Sequence, residues 1–150
     1  MRKALFILGT LNDSDIDWMV TAGRREKIPA GHTLIHEGRH ADHVYIVVDG
    51  SFSVRVSAVG GKEIAQLRAG EIVGEMSFVD SRPPSASVVA LEESLVLSIP
   101  NASLKARLED PSFAARFYRS LAVFLASRLR STTARLGYGK ATGEIGRAHV

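Results

Sequence analysis

The stretch from Gly70 to Ser87, GEIVGEMSFVDSRPPSAS, decides how this chain is expected to fold. Its glycines separate short runs of other residues, a pattern typical of strands joined by turns. Gly74-Glu75 predicts a turn that presents backbone N–H groups beside one carboxylate, and small residues return at Ser85-Ala86. Backbone N–H groups hold anions, whereas a carboxylate accepts hydrogen bonds from hydroxyl groups. The stretch therefore predicts a recess with an anion on one side and a hydroxyl group on the other.

Five further turn and strand signals precede Gly74-Glu75 along the chain. They are Pro29-Ala30-Gly31, Glu37-Gly38, Ala41-Asp42, Tyr45-Ile46-Val47 and Gly50. In this order and spacing, the signals resemble the cyclic-nucleotide-binding domain of the Crp/Fnr-like (catabolite activator) superfamily, over roughly Leu5 to Leu136. The resemblance implies an α+β fold, in which a jelly-roll-like β-roll lies between an N-terminal helix and C-terminal helices. It also implies a regulatory sensor module rather than an enzyme.

The resemblance assigns ligand-binding roles within this stretch. In the family, the acid of the Gly-Glu pair accepts a hydrogen bond from the ribose 2′-hydroxyl, and here that acid is Glu75. Backbone N–H groups near Gly74, Met76, Ser85 and Ala86 would face the cyclic phosphate. The predicted ligand-binding residues are Val73, Gly74, Glu75, Met76, Arg82, Ser85 and Ala86. The expected ligand is cAMP or cGMP, and no catalytic residue, metal or other cofactor is expected.

Pro84 departs from the family pattern, because it stands where the family usually has a phosphate-binding arginine. Proline offers neither an N–H group nor a charge. A charge-assisted hydrogen bond contributes about 1.5–3 kcal/mol, so its loss should weaken phosphate binding about tenfold to a hundredfold or more. Two outcomes stay open. Either Arg82 reaches into the site, or the pocket binds weakly, takes a different ligand or survives only as a scaffold.

Composition limits the class of protein. The 150 residues suffice for one domain, and 45% hydrophobic with 23% charged residues is ordinary for a globular protein. The absence of cysteine excludes disulfides and thiolate metal sites and fits a reducing compartment. No apolar run is long enough to span a membrane, so a cytoplasmic location is expected. The late arginines favour a solvated helix face over contact with nucleic acid.

The domain is expected to cover residues 1–136, with a flexible tail over residues 137–150. The last seven residues, Glu144 to Val150, look like translated adapter sequence rather than part of a fold. The natural chain is therefore expected to differ beyond Thr142. This leaves open that the sequence is the sensory half of a truncated transcription regulator.

Residues before Pro100 predict one helix followed by strands. Asn12 or Asp13 is expected to cap a short helix that Gly23 ends. Asp49-Gly50, between two apolar runs, signals a tight hairpin. The second of these runs alternates, so Phe52, Val54 and Val56 are expected to point inward, and Ser53 and Arg55 outward.

The helical period returns after Pro100. Asn101 is expected to cap a short helix, and Asp110-Pro111 to open a long one that runs to Leu136, with Gly137 as its terminator. An apolar stripe on the long helix is wider than packing on one β-roll requires. Its residues are Phe113, Phe117, Leu121, Phe124, Leu125 and Leu129. The surplus predicts a homodimer through helix 111–136; the alternative is that the helix folds back on its own domain.

Two histidine patterns suggest metal chemistry. His36-Glu37-Gly38-Arg39-His40 matches the H-E-x-x-H pattern, but that motif requires a helix, and Gly38 and the surrounding turn signals argue against one. The wider set of His32, His36, His40 and His43 lacks the His-x-His pair of a β-roll metal site. A metalloenzyme is therefore disfavoured. The main alternative to a sensor is a ligand-independent dimerisation or partner-docking domain.

Overall fold

The computed structural model describes residues 9–143, and it describes side chains for residues 9–134. Strands dominate the first two thirds of this part of the chain. The eight strands in that part are β1 Arg24–Ile28, β2 Thr33–Ile35, β3 His43–Asp49, β4 Ser51–Val56, β5 Lys62–Arg68, β6 Ile72–Val73, β7 Ser87–Ala90 and β8 Ser94–Pro100. The α-helices are α1 Asp13–Ala22, α2 Glu75–Asp80, α3 Asn101–Arg107 and α4 Pro111–Gly143. The order helix, strands, helices is the predicted α+β architecture.

The strands form two antiparallel four-stranded sheets. Sheet I has the order β1-β8-β3-β6, and sheet II has the order β2-β7-β4-β5. The predicted hairpin at Asp49-Gly50 is wrong, because β3 pairs with β6 and β8 whereas β4 pairs with β5 and β7. Asp49 still belongs to β3, opposite Leu95, and only Gly50 takes a positive φ, of 98°. A two-residue type I′ hairpin turn needs positive φ at both central residues, so the chain turns a corner between the sheets instead.

Two apolar cores lie on the two faces of sheet I. The core between the sheets consists of Ile28, Ile35, Val47, Phe52, Val54, Leu67, Val73, Val88, Ala90 and Val96. The core between sheet I and the helices consists of Leu11, Ile16, Met19, Val44, Ile46, Ile72, Phe78, Leu97, Ile99, Leu104, Phe113, Phe117 and Leu121. Both faces of sheet I are therefore covered, which explains why β3 reads as a nearly continuous apolar run.

The side-chain alternation of β4 is only partly as predicted. Phe52 and Val54 are buried between the sheets, as expected. Ser53 lies on the opposite face, as the predicted alternation requires, but its side chain is fully buried there rather than facing solvent. Its hydroxyl donates to Oε2 of Glu63 at 2.8 Å and accepts from Nε of Arg55 at 3.1 Å. Long polar side chains on the outer face of sheet II thus cover the serine.

The starts of the helices show where local capping signals hold. Asn12 caps α1 as predicted: its Oδ1 accepts from the Asp15 N–H at 2.9 Å, and the Asp15 carboxylate accepts from the Asn12 N–H at 3.1 Å. Asn101 does not cap α3. Strand β8 continues through Pro100, which takes the cap position. Nδ2 of the Asn101 side chain donates instead to the carbonyl oxygen of Ala41 at 3.0 Å.

Helix α4 begins as predicted but does not end where predicted. The Asp110 carboxylate caps it by accepting from the Ser112 N–H at 3.0 Å. The helix passes through Gly137 and continues to Gly143, so the predicted termination at Leu136 is wrong. Glycine inside a helix costs only about 1 kcal/mol relative to alanine, which does not by itself end a helix. The seven residues of the suspected adapter lie outside the described residues.

The first half of α4 folds back on its own domain. Phe113, Phe117 and Leu121 are buried in the core beside sheet I, whereas Leu129 is 68% exposed. The alternative that the helix folds back on its own domain thus holds for the first part of the apolar stripe. Further along the stripe, apolar surface remains exposed. Within residues 9–143, no helix combines the length and apolar character that crossing a bilayer requires.

Candidate functional site

Glu75 points into the protein rather than into solvent. Gly74 precedes it with φ at 89° and serves as the N-cap of α2, so Glu75 is the first residue of that helix. A side chain at position 74 would be strained at this φ, and its Cβ would lie 3.4 Å from the carbonyl oxygen of His43. Glu75 is only 4% exposed. The glycine turn therefore directs the acid inward.

A recess of about 250 Å³ opens beside Glu75, between α2, the segment of residues 82–86, sheet II and α4. All seven predicted ligand-binding residues line it. Its apolar wall consists of Ile35, Val54, Leu67, Val73 and Val88. Its charged residues are Glu75, Asp80, Arg82 and Arg128. An apolar wall with a few converging polar groups is typical of a small-molecule site.

The segment of residues 82–86 is anchored by the turn that follows β2. The Gly38 N–H donates to the carbonyl oxygen of Pro84 at 2.9 Å, and the Glu37 N–H donates to Oγ of Ser87 at 3.0 Å. The Glu37 carboxylate in turn accepts from both the N–H and the hydroxyl of Ser57, which lowers the pKa of Glu37. The Glu-Gly pair within the H-E-x-x-H pattern thus supports one wall of the recess, in a turn and not on a helix.

Arg128 also belongs to the recess, although it is one of the late arginines that were expected to lie on a solvated helix face. Its Nη1 donates to Oε1 of Glu75 at 2.9 Å, and its guanidinium lies over the ring of Phe124, 5.3 Å from the ring centroid. The Arg128 side chain is 28% exposed and the Glu75 side chain 5%. A signal was present: position 128 follows Leu121 and Phe124 at helical spacing, on the inward face of α4.

The ion pair sets the electrostatics of the recess. Burial raises the pKa of Glu75, and the positive charge of Arg128 opposes that rise. A buried carboxylate is costly unless it is paired and hydrogen-bonded. Arg128 supplies that pairing across 53 positions of sequence. The recess therefore contains a hydrogen-bond acceptor and a guanidinium side by side, which is a suitable arrangement for a ligand with both a hydroxyl group and an anion.

Comparison with known proteins agrees with this geometry. Residues 25–110, more than half of the chain, match the family model described as cyclic nucleotide-binding domain. The Pycsar effector protein XpPycTIR of Xanthomonas perforans is 33% identical over 118 residues, which cover 77% of this chain and 38% of that protein. The Cyclic AMP receptor protein of Thermus thermophilus is 30% identical over 122 residues, which cover 80% of this chain and 55% of that protein.

A solved structure shows the same fold. The crystal structure of a cyclic nucleotide-binding domain from Methylobacillus flagellatus has a TM-score of 0.81 to this chain. The match covers 89% of this chain and 80% of that one, at 24% sequence identity. The match of residues 25–110 to the family model leads to one conclusion: the chain belongs to the cyclic nucleotide-binding domain family.

Proposed function

We propose that the recess binds a cyclic nucleotide of the cAMP or cGMP class and that the chain is a regulatory sensor module. The observation that carries the proposal is the buried carboxylate of Glu75, which faces a recess of about 250 Å³. A carboxylate has about four lone-pair positions, so Arg128 leaves capacity for a sugar hydroxyl. Among the relatives, the Thermus thermophilus protein is named for cyclic AMP.

The neighbouring backbone supports the same ligand class. Ser85 and Ala86 line the recess opposite α2, in a segment that hydrogen bonds from the Glu37-Gly38 turn hold in place. In the proposed complex, backbone N–H groups of this segment and of the turn at Gly74 surround the cyclic phosphate, and Glu75 accepts from the 2′-hydroxyl. The apolar wall of the recess contacts the less polar faces of the ligand.

Isothermal titration of the unmodified chain with cAMP and with cGMP tests the proposal. We expect saturable binding of at least one of them, with one ligand per chain, and weaker binding of the corresponding 5′-monophosphate, which lacks the ring. The ring form carries a single negative charge that fits one guanidinium beside a neutral cradle. Absence of saturation by both cyclic nucleotides at about 1 mM, where the binding free energy is only about −4 kcal/mol, would favour a ligand-independent docking domain.

We also propose that the chain forms a homodimer through α4. Within residues 111–134 of this helix, three apolar side chains remain largely exposed: Tyr118 at 47%, Val123 at 56% and Leu129 at 68%. Packing two copies along α4 would remove this apolar area from water, which is favourable at about 25 cal/mol per Å². Light scattering at tens of micromolar is expected to give about twice the chain mass of 16.2 kDa. A monomer at that concentration would contradict the dimer and leave the binding proposal unaffected.

A further inference from the structure

Among the residues whose side chains the structure describes, two arginines line the recess, whereas Pro84 provides no cation. Arg82 lies in the anchored segment, but its side chain is exposed. Its backbone N–H donates to Oδ1 of Asp80 at 3.0 Å. Arg128 is partly buried and already lies against the inward-facing Glu75. An ionic hydrogen bond is stronger in a recess of low dielectric than at the surface. Arg128 is therefore the better placed of the two to bind an anion inside.

The side chain of Arg128 retains hydrogen-bonding capacity. A guanidinium has five N–H donors in a planar fork, and the bond to Glu75 uses one of them. Within residues 9–134, no side chain accepts a hydrogen bond from the other four donors. The ring of Phe124 lies under the guanidinium and limits its orientation. A planar fork with free donors matches two oxygens of a phosphate group, which a point charge such as lysine does not.

We propose that Arg128, supplied by helix α4, is the cation that binds the cyclic phosphate, in place of the loop arginine that Pro84 excludes. This inference rests on the proposed function of the recess. In the bound state Glu75 accepts from both Arg128 and the sugar hydroxyl, while the remaining donors of Arg128 hold the phosphate oxygens. The specificity of the site for a phosphate-bearing ligand therefore comes from α4, about 40 residues after the loop.

Substitution of Arg128 by glutamine tests the inference. Loss of a charge-assisted contact of this kind is expected to weaken cAMP or cGMP binding about tenfold to a hundredfold. The variant R82Q tests the other arginine of the recess and is expected to cost less affinity than R128Q, given the exposure of Arg82. Arg130, exposed on the same helix and outside the recess lining, is the matched control, and R130Q is expected to leave affinity nearly unchanged. The affinities for adenosine and guanosine, which lack the phosphate, are measured for comparison. R128Q should reduce the preference for the cyclic nucleotide over its nucleoside.

Restoring an arginine at position 84 distinguishes a phosphate contact from a purely structural role. Pro84 contributes its carbonyl oxygen to the Gly38 N–H, and arginine retains that group. The double variant R128Q/P84R is expected to recover most of the lost affinity for the cyclic nucleotide. If R128Q disturbs folding in a thermal melt, R128K provides the same comparison, because it retains the charge but not the fork. R128K should also bind the cyclic nucleotide more weakly relative to the nucleoside.

The outcomes separate this inference from the proposed function. If the unmodified chain binds neither cyclic nucleotide, the proposed function fails and this inference fails with it. If the unmodified chain binds and R128Q binds equally well or better, only the role of Arg128 is overturned. The same holds if R82Q causes the larger loss, or if R128Q weakens cyclic nucleotide and nucleoside equally and P84R restores neither.

Discussion

Substitution of Arg116 by alanine is expected to lower the free energy of unfolding by about 1–3 kcal/mol, the cost of leaving a buried hydrogen-bonding group without its partner. The side chain of Asp15 has no exposed surface, whereas that of Arg116 is 32% exposed. Two hydrogen bonds join them, from Nε at 2.6 Å and from Nη2 at 2.9 Å. Removing the arginine leaves the acid without its charged partner at a position where its side chain has no exposed surface in the intact protein.

This pair links the first helix to the last. Asp15 belongs to the capping box of α1 and Arg116 to α4, so one carboxylate both caps a helix and joins it to another. Arg107 lies nearby over the rings of Trp18 and Phe113, at 5.6 Å and 5.1 Å from their centroids. The loss of Arg116 should therefore loosen the contact between α1 and α4 as well as the pair itself.

Urea denaturation followed by circular dichroism measures the effect at neutral pH. Arg119, exposed on the same helix, is the matched control, and R119A is expected to change stability by no more than about 0.5 kcal/mol. Hydrogen bonding to Arg116 lowers the pKa of Asp15 below its ordinary value of 3.8. The stability that the ion pair contributes is thus fully present above pH 3.8, and it is lost as the pH falls through the lowered pKa of Asp15. Equal stability of R116A and R119A would contradict the assigned role of the pair.

Local signals predicted most of the fold, and tertiary contacts account for most of what they missed. The cap at Asn12 and the start of α4 at Asp110 were predictable because both depend on neighbouring residues. The corner at Asp49-Gly50 was not, since a turn signal does not reveal which strands will pair. Gly137 failed as a terminator because a single glycine does not outweigh the rest of a long helix.

The same distinction between local signals and tertiary contacts applies to the candidate site. The seven predicted residues line one recess because they come from two nearby segments whose turns the sequence encodes. Arg128 was missed because its partner Glu75 is 53 positions away, and the pairing depends on how α4 crosses the domain. The spacing of apolar residues in α4 predicted that position 128 lies on the inward face of the helix. A long charged side chain at such a position can equally extend into solvent, so the spacing did not predict the ion pair.

Substitution of Glu75 by glutamine is expected to weaken cyclic nucleotide binding about tenfold to a hundredfold, which corresponds to a hydrogen bond to a charged group worth about 1.5–3 kcal/mol. Glutamine retains the shape of the side chain but accepts the sugar hydroxyl more weakly. It also releases Arg128, which is partly exposed and can be hydrated. Glu71 is the matched control: its carboxylate accepts from the Arg68 N–H, and it does not line the recess. E71Q is expected to retain nearly full affinity.

The most direct test of the account combines E75Q with a 2′-deoxy cyclic nucleotide in a thermodynamic cycle measured by calorimetry. If Glu75 accepts the 2′-hydroxyl, the unmodified chain should prefer the hydroxylated ligand by about tenfold or more, and E75Q should bind the two ligands with nearly equal affinity. A preference that persists undiminished in E75Q would show that the sugar hydroxyl binds elsewhere, and it would contradict the central role assigned to this buried acid.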